Sequence, residues 1–145
     1  MAKFHYKFES IKKIKETFEK KIQKEISLID LEIEKQNGFL ESLADEKRRA
    51  RSSVSGKNFV KISELQFQNE VQYLLGLKEK EILAEIANLE KVRENRMSEL
   101  EQRTKEHKIF EALEEKHHED FRLEQNQIEQ KEIDEIASQK FAREA

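Results

Sequence analysis

Two pairs of residues have the spacing of a metal centre. Glu114 and His117, and Glu115 and His118, each stand three apart. On a helix that spacing puts both side chains on one face, as in carboxylate-bridged sites of helical bundles. Those sites take ligands from four facing helices, and this chain has material for two. In a sequence this rich in Glu the spacing arises by composition alone. No His-Glu-x-x-His and no cysteine ligand accompanies it. These histidines read as solvated or seam-lining, and neither a metal nor a cofactor is expected.

Other chemistry fails on residue type. Gly56-Lys57 is the one Gly-Lys pair, but a phosphate-cradling loop needs Gly at 51 and Ser or Thr at 58, where Arg51 and Asn58 stand. The aromatics Phe4, Tyr6, Phe8 and Phe18 suggest base stacking, yet at helical spacing they read as core. Acidic and basic residues are interspersed, with 28 Lys and Arg against 31 Asp and Glu. That is a solvated surface, not the basic stripe of a nucleic-acid binder, and no nucleic-acid partner is expected. Nucleophilic catalysis needs groups converging in a concave pocket, which two paired helices do not offer. No enzymatic activity is expected.

The elements behind these residues are few. The 145 residues contain no Pro, no Cys and no Trp, and only three Gly: Gly38, Gly56 and Gly76. Pro and Gly punctuate turns, so few reversals are available. Charged residues make up 41% and hydrophobic ones 36%, against about 25% and 45–50% in ordinary domains. A narrow apolar seam between long helices fits these proportions; a thick core does not.

The first stripe runs Phe8, Ile11, Ile14, Phe18, Ile22, Ile26, Ile29, Ile33, Leu40 and Leu43, in steps of three or four. The repeated fours at 14-18-22-26 predict a stutter, where a supercoil locally unwinds. The reversal falls in Ser52-Ser53-Val54-Ser55-Gly56-Lys57-Asn58. Ser63 and Gln66 predict a capping box, and Ile62 and Phe67 a hydrophobic staple, at the start of a second helix. Its stripe continues through Phe67, Val71, Leu74, Ile82, Ile86 and Leu89, and later through His107, Phe110, His117, Phe121, Ile128, Ile133 and Ile136. Gly76 is a soft spot within it.

The expected fold is therefore all-α, a single long two-helix antiparallel coiled-coil hairpin. Helix 1 covers about 4–51, the turn about 52–62 and helix 2 about 63–141. At about 1.5 Å per residue the second helix outruns the first. The first ends opposite roughly residues 105–115, so the C-terminal helix overhangs. That overhang keeps Phe121, Ile128, Ile133, Ile136 and Phe141, and apolar residues without a partner in the chain imply one outside it. No run approaches the length of a transmembrane segment, and Met1 to Phe8 lacks a signal-peptide apolar region. A cytoplasmic protein is expected. Residues 1–57 carry a net +4 and 58–145 a net −7, which suits two segments lying side by side.

The opening Phe4-His5-Tyr6-Lys7-Phe8-Glu9-Ser10-Ile11 resembles that of the flagellar FliJ family, whose members begin with alternating aromatic and basic residues before an amphipathic helix. The stretch Glu129 to Ala137, followed by Lys140 and Arg143, is similar to the family's ending. Length, single reversal and longer second helix also agree, so the resemblance covers the whole chain. It implies a stalk like the γ subunit of rotary ATP synthases, entering the hexameric flagellar export ATPase FliI with its termini leading. It implies further contacts with the export gate protein FlhA and with chaperones of late flagellar substrates, at the cytoplasmic face of the inner membrane. On that resemblance Phe4, Tyr6, Phe8, Phe121, Ile128, Lys131, Ile133, Asp134 and Ile136 are expected to face the ATPase. Leu40, Leu43, Phe67, Val71 and Leu74, near the bend, are expected to face the gate. The alternatives are the equivalent stalk of a virulence secretion system, and a membrane-associated coiled-coil tether using Lys12, Lys13, Lys20, Lys21 and Lys24.

Overall fold

A computed structural model of the chain describes residues 2–144. It is all-α: α1 spans Glu9–Ser55 and α2 spans Ile62–Glu144. The chain forms two compact units. One holds residues 21–100, and the other holds the residues through Lys20 together with those from Glu101 onward.

Within residues 21–100 the chain is an antiparallel hairpin. Asp30 meets Arg93 at 2.5 Å, Glu25 meets Arg96 at 3.4 Å, and Lys47 meets Glu79. Its seam buries Ile22, Ile26 and Leu43 of α1 and Leu75 and Ile86 of α2. The inward positions of α1 run Ile22, Ile26, Ile29, Ile33, Gln36, Leu40, Leu43, Lys47, Ala50 and Val54. Steps of four and three alternate without interruption, which is the heptad pattern of a coiled coil. On α2 the matching inward positions are Gln68, Gln72, Leu75, Glu79, Ile82, Ile86, Leu89, Arg93 and Arg96. Phe67 and Leu74, read from the sequence as seam residues, face outward. Polar Gln and Glu hold the inward places because they find cross-seam partners: Gln72 donates to the Lys47 carbonyl at 3.3 Å and Glu79 accepts from Lys47.

In the other unit the expected stripe also shifts by one residue. Ile11, Ile14 and Phe18 are exposed, and Lys12, Lys15 and Glu19 turn inward. Lys12 meets Glu114 at 2.5 Å, Lys15 meets Glu106 at 2.8 Å, and Glu19 accepts from the Thr104 hydroxyl at 3.3 Å. The run 12-15-19 keeps the spacing of the apolar seam, so no stutter is needed. The repeated fours at 14 and 18 belong to an outer face, where Arg103 covers the Phe18 ring at 5.0 Å.

The element ends differ from the expected ones for local reasons. α1 begins at Glu9 rather than near residue 4, because the preceding segment packs its rings on α2. α1 continues through the serines: Ser52 and Ser53 donate to the carbonyls of Arg49 and Ala50, at 2.9 and 2.7 Å. Such back-bonds let serine continue a helix instead of ending it. α2 starts one residue before the expected cap. Lys61 supplies the capping carbonyl, accepting from Glu64 and Leu65 amides at 3.0 and 3.2 Å. Ser63 thus lies inside the first turn, and Ile62 and Phe67 are both exposed instead of stapled. Gly76 sits within continuous helix. No helix among the described residues is long and apolar enough to cross a membrane.

Candidate docking surfaces

The residues before α1 run along α2 and lay their rings on it. Phe4 stands 4.9 Å edge-on from His118 and 5.5 Å from Phe121. Tyr6 lies 5.8 Å from His117, and Phe8 lies 6.0 Å from His117 and 6.2 Å from Phe110. The Phe4–His118, Tyr6–His117 and Phe8–Phe110 pairs meet near edge to face, which attracts beyond burial alone. The Tyr6 hydroxyl donates to the Phe110 carbonyl at 2.8 Å. Burial pushes the Tyr6 phenol up from its usual range, and the Glu114 carboxylate adds to that. Tyr6 is the most enclosed side chain of this unit, at 8% exposure.

This cluster divides the nominated ATPase-facing residues. Phe4, Tyr6, Phe8 and Phe121 are packed on one another or on α2. Ile128, Lys131, Ile133, Asp134 and Ile136 are exposed. It also absorbs the Glu-x-x-His pairs. Glu114 pairs with Lys12, while His117 and His118 stand against aromatic rings.

Beyond Phe121, α2 continues to Glu144, and every described side chain there except Gln125 is exposed. Ile133 is 59% exposed, Ile136 65% and Phe141 76%. These residues do not form the single stripe expected from the sequence. Ile133 and Ile136 share a face, three apart. Ile128 precedes Ile133 by five residues, and Phe141 follows Ile136 by five, and each such step turns about 140° around a helix. Apolar side chains therefore point to several sides. Glu119 sits near the base of this stretch, its carboxyl held below the usual range by a hydrogen bond from Arg122.

Near the bend the nominated gate-facing residues also divide. Leu43 is buried in the seam, and Leu40 and Val71 are half-buried. Phe67 and Leu74 face solvent. Sequence reasoning missed their exposed neighbours. Phe59 in the connection is 93% exposed, and Ile62, Tyr73 and Leu77 of α2 are exposed with it. Tyr73 and Leu77 stand four apart, a helical spacing that marks a shared face. The sequence carried that signal, but the preceding run of apolar residues hid which face was inner.

A family model described as flagellar FliJ protein matches residues 4–145. The chain belongs to the FliJ family. No curated protein and no solved structure matches the chain. FliJ-family membership places the chain in flagellar protein export, in the stalk and chaperone class of its components. The end of α2 and the bend of this FliJ-family chain both leave large apolar side chains exposed. The exposed end of α2 begins past the ring cluster of Phe4, Tyr6 and Phe8.

Proposed function

We propose that the chain is a non-enzymatic stalk of the flagellar type III export apparatus. Its bare α2 end, Arg122 to Glu144, enters the central opening of the hexameric export ATPase FliI, promotes ring assembly and serves flagellum assembly and motility. The bend, through Phe67, Leu74 and the neighbouring Phe59, meets the export gate protein FlhA at the cytoplasmic face of the inner membrane. Late-substrate chaperones are carried on the same molecule.

One observation carries this reading. α2 extends past its last packed ring, Phe121, with exposed Ile128, Ile133, Ile136 and Phe141 turned to different sides. A groove-binding helix presents one apolar face. A helix with apolar residues on several sides suits an enclosing partner, such as the bore of a ring. Lys131 and Asp134 stand between those apolar residues and offer polar contacts to the same bore.

The test is Ile133→Asp. Co-migration with the ATPase on a sizing column is expected to fall by about tenfold or more, because a charge would replace a desolvated anchor. Helicity by circular dichroism is expected to stay unchanged, since Ile133 lies on the exposed stretch of α2, outside the packed seam. Undiminished co-migration would remove the overhang from the interface.

A further inference from the structure

The inner face of the unit that contains the termini holds one anionic node. Glu16 and Glu19 of α1 and Glu111 of α2 surround the imidazole of His107, which is 15% exposed. Nε2 lies 3.1 Å from Glu16 Oε1 and 3.3 Å from Glu111 Oε1. Nδ1 lies 3.0 Å from Glu19 Oε2, a buried oxygen that makes no hydrogen bond of good geometry. Among the described residues, no Lys or Arg pairs with any of these three carboxylates. The other cross-helix carboxylates of this unit are matched: Glu106 by Lys15 and Glu114 by Lys12. Three carboxylates around one imidazole leave an excess of negative charge in a partly enclosed place, which is costly without a cation.

The geometry is that of a ligand set. One nitrogen and two oxygens, from Glu16, His107 and Glu111, lie within 4.8 Å of one another. A tetrahedral ion bound at about 2.0–2.1 Å spaces its ligands about 3.3 Å apart, close to both Nε2–Oε1 distances. Glu19 stands on the other ring nitrogen, where a carboxylate fixes the tautomer and turns the Nε2 lone pair toward the ion. Imidazole with carboxylates suits divalent first-row ions, Zn²⁺ foremost. Glu111 is half exposed, giving the ion a path from solvent.

We propose that Glu16, His107 and Glu111 bind one Zn²⁺, with Glu19 as a positioning residue, and that the ion staples α1 to α2 beside the aromatic cluster. This site is separate from the Glu114-His117 and Glu115-His118 pairs: Glu114 pairs with Lys12, and His117 and His118 stand against aromatic rings. It stands independently of the proposed role in export.

The experiment is Zn²⁺ binding to the full chain, followed by metal analysis after equilibrium dialysis at about pH 7.5 and by thermal melts with Zn²⁺ or with chelator. One ion per chain and a higher melting midpoint with Zn²⁺ are expected. Glu111→Gln, at a half-exposed position that the seam does not need, should weaken binding tenfold or more while the chelator-treated melt stays as in the parent. Glu19→Gln should weaken it by about 10–100-fold, and His118→Gln should leave it intact. Co²⁺ in place of Zn²⁺ should give visible absorption bands that Glu111→Gln diminishes. Absence of stoichiometric Zn²⁺, or binding by Glu111→Gln or His107→Gln as tight as the parent's, would overturn the proposal.

Discussion

Ile26 is one of the enclosed seam residues of α1, one turn from the similarly enclosed Ile22. Ile26→Ala is expected to cost about 2–4 kcal/mol, measured as a lower urea midpoint. An unchanged midpoint would mean that the polar seam positions hold the pair together. Those positions leave a different signature, in pH. The hydrogen bond from Lys15 holds the Glu106 carboxyl below its usual range. A depressed carboxylate stabilises the fold above its unfolded value, and that contribution is lost as pH falls through the folded value. The hydrogen bond to Glu114 holds Lys12 above its usual range. Its contribution is present at neutral pH and lost as pH rises through the raised value. Stability should therefore be flat around neutrality, fall as pH drops below the ordinary carboxylate range and fall as pH rises past the ordinary lysine range. Lys15→Met should flatten the acid limb. An acid limb as steep as the parent's would contradict the assignment of Glu106.

The elements were legible to different degrees, and the reasons are physical. The scarcity of Gly and the absence of Pro left two helices and one reversal as the natural reading, and that is what forms. The faces were harder. Ile14 and Phe18 continue the spacing of Ile22 and Ile26, so the apolar pattern pointed at them. The seam instead takes Lys15 and Glu19, because Glu106, Thr104 and His107 stand opposite with matching groups. Only the cross-helix register reveals that match, and one sequence does not give it. The start of α1 was missed for a similar reason. Phe4, Tyr6 and Phe8 have helical composition around them, yet their rings gain more by lying against Phe110, His117 and Phe121. Exposure was legible only in part: Ile133, Ile136, Phe67 and Leu74 stand out in the sequence and are exposed, while the exposed Phe59 and Tyr73 do not stand out. Gly76 gives the clearest test at this scale. It sits in unbroken α2, and an added Cβ would meet nothing within 4 Å. Gly76→Ala should stabilise the helix by up to about 1 kcal/mol, seen as a higher melting midpoint. A lower midpoint would show that Gly76 serves a bend or a partner.

For the molecule as a whole, family membership and the bare end of α2 point to one role. The ring packing stops at Phe121, and every described side chain beyond it except Gln125 is exposed. A helix end that carries exposed Ile128, Ile133, Ile136 and Phe141 suits a partner that covers them. The most direct measurement is ATP hydrolysis by the flagellar export ATPase at concentrations too low for it to assemble alone. The full chain should stimulate hydrolysis. A chain ending at Phe121 should fold with the same thermal midpoint, within about 0.5 kcal/mol of the parent, and should not stimulate. Equal stimulation by the shortened chain would contradict the account, because the ring would then be engaged by the packed hairpin and not by the exposed helix.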